Sequence, residues 1–199
     1  MNFSEISPTD AQNSAGGNRL DVPGGGVLYA ASTAEGAYAE TLARFRPTAA
    51  MRALPRESDE HFMEVGAVPA DWRTRRELVR FALEDPLPFI DVDAPATHAF
   101  LTQEVPGNLA ALGYDTLDVA AVRGRDRFLT RFVAGWAFAQ TDSEGRFLYS
   151  GIRYGSRLGD YECWAIFQGA QIVNEQPSAI DRDDRHLALV ARDFDLTIH

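Results

Sequence analysis

The period of apolar and polar positions changes several times along this chain, and each change predicts an element. Val27-Leu28-Tyr29-Ala30-Ala31 is a short apolar run behind the turn-like Val22-Pro23-Gly24-Gly25-Gly26, which predicts a buried strand. Ser32 with Glu35 three residues on reads as a capping box and predicts a helix from about Thr33. Along that helix Ala34, Ala37, Tyr38, Thr41, Leu42 and Phe45 share one face, and Pro47 marks its end. Residues 48–70 read as loop-rich. Trp72, Leu78, Phe81 and Ala82 then predict a helix over 71–84, stopped by Pro86 and Pro88. Pro88-Phe89-Ile90-Asp91-Val92 predicts a strand, followed by short helices near 97–103 and 106–112 and an extended stretch over 116–121. The strongest amphipathic helix covers 124–140, with Phe128, Leu129, Phe132, Val133, Trp136 and Ala139 in register. Gly151-Ile152-Arg153-Tyr154 and Cys163-Trp164-Ala165-Ile166-Phe167 predict two strands. The alternation around Leu187, Leu189, Val190, Phe194, Leu196 and Ile198 predicts one or two more.

Strands and helices interleave without the regular beat of a doubly wound sheet. The expected class is therefore α+β, with a mixed sheet core and flanking helices. Residues 1–18, rich in Ser, Asn and Gly, are expected to form a flexible arm, leaving 19–199 as one domain. A hydrophobic fraction of 45% and an aromatic fraction of 11% over 199 residues suit one globular core and exclude a disordered chain. No apolar run approaches the roughly 20 residues of a bilayer span. The first 17 residues also lack the basic-then-apolar order of a signal peptide. No membrane partner and a cytoplasmic address are expected. A net charge of −10 argues against direct nucleic-acid binding, which needs a basic footprint. All 19 basic residues are arginine, so mechanisms that need a Schiff-base or P-loop lysine are excluded.

Several familiar constellations fail on inspection. Cys163 is the one cysteine, which rules out an internal disulfide, and its aromatic neighbours make it read as a buried structural thiol. The triple glycine at 24–26 precedes a strand, whereas a phosphate-cradling loop follows one and opens a helix. Gly155-Ser156-Arg157-Leu158-Gly159 lacks the spacing of a nucleophile elbow. His61, His98, His186 and His199 are scattered, and Asp91-Val92-Asp93 suits turn chemistry as well as a metal, so no metal site is expected. Asp181-Arg182-Asp183-Asp184 reads as a solvated acidic loop.

Four residues survive as a set, each in a distinctive context. Arg19 precedes the glycine turn, Tyr29 lies in Val27-Leu28-Tyr29-Ala30, Glu40 follows Ala37-Tyr38-Ala39, and Ser156 ends Ile152-Arg153-Tyr154-Gly155 ahead of Arg157. In that order, and with the Cys163–Phe167 strand behind them, they resemble the RES-domain family, named for its arginine, glutamate and serine. The likeness covers about Arg19 to Phe167; the literal string Arg56-Glu57-Ser58 carries no weight.

The resemblance implies a fold related to the ADP-ribosyltransferase toxins, with NAD as substrate and no resident cofactor. The implied reaction cleaves the nicotinamide–ribose bond with phosphate or water as acceptor, an NAD phosphorylase or glycohydrolase. The implied setting is the toxin of a bacterial toxin–antitoxin pair, its partner a helix-turn-helix (Xre-type) antitoxin, with a homo-oligomer left open. Glu40 would stabilise an oxocarbenium-like ribose. Arg19 would hold the diphosphate, Tyr29 would stack on nicotinamide or hydrogen-bond the substrate, and Ser156 would offer its hydroxyl to the ribose or to Glu40. Arg157, or Arg153, would help hold phosphate. Plainer readings stay open. Glu40 and Arg44 stand at the spacing of an exposed helical pair worth about 0.3–0.5 kcal/mol, Tyr29 suits a core, Arg19 an arm and Ser156 a turn.

Where family members carry an aromatic residue and then Asn after the arginine, this chain has Leu20 and Asp21. That places an acid beside the expected diphosphate site, which would weaken NAD binding or alter the acceptor. Two other functions remain in view. One is ADP-ribosyl transfer to a protein; many such transferases carry a second Glu where Tyr38 stands. The other is a nucleotide-binding module without turnover.

Overall fold

Residues 3–53 and 64–199 are described by the structure, a computed structural model; Arg56-Glu57-Ser58 and His61 lie outside the described residues. In chain order the elements begin with α1 (Pro8–Ala11), β1 (Val27–Ala31), α2 (Ala34–Leu42), a 3-10 turn (Ala43–Phe45), α3 (Ala49–Ala53) and β2 (Ala67–Val68). They continue with α4 (Ala70–Thr74), β3 (Glu77–Glu84), β4 (Phe89–Asp91), α5 (Pro95–Glu104), α6 (Pro106–Ala111) and α7 (Val119–Arg123). The last are α8 (Arg127–Ala139), β5 (Gly151–Gly155), β6 (Glu162–Phe167), β7 (Gln171–Ala179), α9 (Arg185–Phe194) and β8 (Thr197–Ile198). The class is α+β, with a mixed sheet and flanking helices, as the interleaving predicts. The chain divides into two compact units, Met1–Ala31 with Leu83–Ile172 and Ser32–Ala82 with Val173–His199.

The first unit is built on a four-stranded sheet in the order β1-β6-β5-β4. β6 is antiparallel to both β1 and β5, while β4 runs parallel to β5. Tyr29 lies opposite Ala165, which lies opposite Ile152; two residues along, Ala31, Cys163 and Tyr154 stand in the same row. Directly opposed residues share a face, so this face carries Tyr29, Ala165, Ile152, Cys163 and Tyr154 into one core with Leu129, Val133 and Ala137 of α8. Cys163 is buried there, as its aromatic setting predicts. The other face carries Phe89 edge-on to Trp164 at 5.0 Å, and Arg153 between Asp91 (2.6 Å) and Glu162 (2.5 Å). β5 opens on Gly151 at φ 155°, where a Cβ would overlap the Ala165 carbonyl.

Helix α8 starts where Asp126 Oδ1 accepts the N–H groups of Phe128 (2.9 Å) and Leu129 (3.4 Å). Its buried stripe is rotated from the predicted one: Phe128 is exposed, and Thr130 and Arg131 are inside. Arg131 of α8 meets part of the expected arm, residues 10–18. A buried guanidinium needs acceptors for its donors, and the carbonyls of Asp10, Ala11, Asn13, Gly16 and Asn18 supply them. Ser4 also pairs with Val27 through both main-chain bonds (3.0 and 2.9 Å), and Ile6 is buried. The stretch 116–121, expected to be extended, instead leads into α7, because Asp118 Oδ1 caps Ala121 N–H at 2.7 Å.

The second unit pairs α2 with α9. The tail expected as strands is mainly this helix: Leu187, Val190, Ala191 and Phe194 are its buried residues, at spacings of three and four. Only β8 is extended, parallel to β2. The predicted helix over 71–84 ends at Thr74. From Val79 the chain alternates, with Val79, Phe81 and Leu83 half-buried and Arg80, Ala82 and Glu84 exposed, and it forms β3 paired with β7. The predicted capping box is displaced by one residue. Thr33 Oγ1 caps Gly36 N–H at 3.1 Å, while Glu35 turns away to His186 Nδ1 at 2.5 Å.

Candidate active site

Burial of Leu20 and Val22 on either side of Asp21 pins the segment after Arg19 into the first unit's core. The neighbouring polar groups must then find partners on the elements they meet. Thr130 Oγ1 donates to the Arg19 carbonyl at 2.5 Å. Arg19 Nη2 donates to the Val122 carbonyl at 2.7 Å, and the guanidinium lies over the Tyr154 ring, 5.5 Å from its centroid. Both the main chain and the side chain of Arg19 are thus held by folded elements, at odds with an arm residue.

Asp21 resolves the departure from the family pattern. It is 4% exposed and faces inward. Its Oδ1 accepts the Tyr29 hydroxyl at 2.8 Å, and its Oδ2 accepts Asn18 N–H at 2.5 Å. The Tyr29 oxygen in turn accepts Leu20 N–H at 3.2 Å. Burial, then the Asp21 charge and hydrogen bond, then Tyr154 push the Tyr29 phenol far above its ordinary range, so it stays protonated as a donor. Asp21 therefore holds the Tyr29 hydroxyl in place, and that hydroxyl is engaged by Asp21.

Ser156 directly follows β5, two residues beyond Tyr154, and is 4% exposed. Its N–H donates to the Tyr161 carbonyl at 2.8 Å, and its Oγ accepts Leu158 N–H at 3.0 Å, so it also shapes the turn. Arg157 follows on the surface. Arg153 is committed to Asp91 and Glu162 on the sheet's other face. Asp93 accepts the Arg123 fork at 2.9 Å on each oxygen and Gly155 N–H at 2.6 Å. Asp91 and Asp93 thus serve ion pairs, and among the described residues no group of His, Cys, Asp or Glu is arranged to hold a metal ion.

Glu40 belongs to the second unit, exposed on α2. Tyr38, two residues before it, is buried at 2% exposure, and burial beside Asp184 pushes its phenol up to about 12. Arg44 has left the α2 register for the 3-10 turn, with its guanidinium over the Phe45 ring at 4.8 Å. His98 is a packed residue of α5, its Nε2 2.8 Å from the Val92 carbonyl. Of the predicted set, Arg19, Tyr29, Ser156 and Arg157 lie in the first unit, where Arg19 covers the Tyr154 ring, Tyr29 packs into the same core as Tyr154, and Ser156 directly follows β5. Tyr154 and Asp93 stand in stretches the sequence singles out, Tyr154 one strand period before Ser156 and Asp93 in a turn-like acidic pair, but without these contacts; the pairing of Asp93 with Arg123, 30 residues away, had no sequence signal.

A family model described as RES domain matches residues 3–191 of the chain. No curated protein matches it, and no solved structure does. Among the described residues, no helix is long and apolar enough to cross a membrane.

Proposed function

The chain belongs to the RES-domain family, and on that premise we propose that it cleaves the nicotinamide–ribose bond of NAD, with phosphate or water as acceptor. At family level it is an NAD-related, toxin-like module; the particular reaction, the toxin role and the Xre-type antitoxin partner are the proposal. The observation that carries it is the group of half-buried Arg19 with buried Tyr154 and Ser156 at the end of β5. A guanidinium held there by the Val122 carbonyl and the Tyr154 ring is a preorganised cation, and Ser156 lies two residues beyond that ring along the chain.

NAD is consumed here as substrate, with no further cofactor. The bond from the ribose anomeric carbon to the nicotinamide nitrogen breaks, and its electron pair leaves on that nitrogen, neutralising the pyridinium. No general acid is needed for that departure. The developing oxocarbenium charge on the ribose needs a carboxylate, the role that the family resemblance gives to Glu40. Arg19, with Arg157, takes the diphosphate, and the Tyr29 ring takes a flat face of the substrate. An oxygen of phosphate or water then bonds to the anomeric carbon and sheds its proton to solvent.

The test is to incubate the purified chain with NAD, with and without inorganic phosphate, and follow free nicotinamide. Release by the wild type that is abolished in Glu40→Gln supports the reading. No release, or equal release by Glu40→Gln, refutes it. Phosphate dependence with a product phosphorylated at the anomeric carbon selects phosphorolysis, and free ADP-ribose selects hydrolysis. ADP-ribose found on a protein would replace the reading with transfer.

A further inference from the structure

Three residues outside the expected set meet at the end of β5. Asp93 receives both fork hydrogen bonds of Arg123 and also the Gly155 N–H. Arg123 directly follows Val122, whose carbonyl receives Arg19. Gly155 stands between Tyr154, whose ring Arg19 covers, and Ser156. One carboxylate is therefore tied to the Gly155 backbone beside Ser156 and, through the Arg123 side chain, to the residue that follows Val122. A Cβ on Gly155 would overlap the Arg123 guanidinium and come within 2.9 Å of Asp93 Oδ2, so glycine is what lets the ion pair cross the strand end. The Asp93 side chain is 15% exposed. Burial works to raise its carboxyl, but the hydrogen bonds from Arg123 and Gly155 outweigh that and hold it below the ordinary range, with the Arg123 and Arg19 charges adding to them.

We propose that Asp93, Arg123 and Gly155 form a brace that positions Arg19 and Ser156 for a diphosphate-bearing nucleotide, with Asp93 the positioning residue for both. This rests on the reading that the chain takes NAD. An arginine grips a diphosphate through a planar fork whose direction matters, so its anchor must not drift. Without the Asp93 charge, Arg123 loses its bidentate partner and α7 loses its tie to β5. The Val122 carbonyl then no longer fixes Arg19. Because the diphosphate is remote from the bond that breaks, the loss falls on substrate binding and spares the chemical step.

The experiment compares the wild type with Asp93→Asn, Gly155→Ala, Arg123→Lys and, as a control, Arg146→Ala, which deletes the exposed pair with Asp142. NAD affinity by calorimetry, KM, kcat and Tm are measured on each. Asp93→Asn and Gly155→Ala are expected to raise KM and Kd for NAD about tenfold with kcat within about threefold. Gly155→Ala does so by displacing the Arg123 guanidinium while every charge remains. Arg123→Lys keeps the charge without the fork and is expected to fall between wild type and Asp93→Asn. Arg146→Ala leaves KM unchanged. A merely structural role would lower Tm and kcat at constant KM, and that result overturns the brace. If Asp93→Asn does not fold, the KM of Gly155→Ala and Arg123→Lys decides. A wild type that turns over NAD with variants of unchanged KM removes the brace alone; a wild type that neither binds nor cleaves NAD removes the parent reading, and the brace with it.

Discussion

Replacing Tyr29 by Phe removes one oxygen from a junction where two groups depend on it. The hydroxyl donates to the buried Asp21 carboxylate at 2.8 Å and accepts Leu20 N–H at 3.2 Å. A hydrogen bond to a charged partner contributes about 1.5–3 kcal/mol, and a stranded buried amide costs about 1 kcal/mol or more, so Tyr29→Phe should lose roughly 2–4 kcal/mol. In a chain of this size each kcal/mol moves Tm by about 2–4 °C, which sets the expected drop at roughly 4–16 °C. Urea unfolding of the wild type, Tyr29→Phe, Asp21→Asn and the double variant closes a cycle that isolates the coupling, expected at about 1.5–3 kcal/mol. Activity should respond differently. If the hydroxyl is spent on Asp21, only the ring is left for substrate, and kcat/KM of the folded Tyr29→Phe protein should stay within about threefold of wild type. A stability loss below about 0.5 kcal/mol would mean that the pair is no better than hydration, and the account of Asp21 given above would be wrong.

Three further outcomes are expected. Glu40→Gln should lower kcat for nicotinamide release by about 10²–10³-fold while Tm stays within 1–2 °C (about 0.5 kcal/mol), since Glu40 is exposed; steady-state kinetics and a melting curve check both. Asp93 has a folded-state carboxyl held below its ordinary 3.8, so its contribution to stability is full above that value and is lost as pH falls through the lower folded value. The wild-type advantage over Asp93→Asn in urea should therefore shrink below about pH 4 and be constant from pH 5 to 7. Gly151→Ala should cost about 3 kcal/mol or more or prevent folding, because its Cβ would meet the rigid Ala165 carbonyl at a positive φ; circular dichroism and a melting curve show which.

Much of this structure was legible in one dimension where local rules decide. β1, β4, β5, β6, α5, α6 and α8 follow from apolar runs, Pro starts and helical spacing that need no distant partner. The α+β class followed from their order, and the candidate residues from an ordered set of motifs. Where the local signal was ambiguous, partners chosen elsewhere decided the outcome. Residues 77–84 carry apolar side chains that suit either period, and pairing with β7 makes them a strand. The 185–194 segment reads as alternation until α2 offers a helical face to pack against.

The chain by itself determined that there is no lysine or disulfide chemistry, that a strand carries Tyr29, and that Arg19, Glu40 and Ser156 recur in a recognisable order. Tertiary structure alone decided what these side chains touch. Asp21 read as a disturbing acid beside a diphosphate and proves to be the buried acceptor of Tyr29, because Leu20 and Val22 drag it inside, where a carboxylate must be satisfied. The pairing of Asp93 with Arg123, 30 residues apart, gave no signal, because an ion pair formed through the fold leaves no period in the sequence. Periodicity reports which way a side chain faces along its own element; only the packing of elements says what stands opposite.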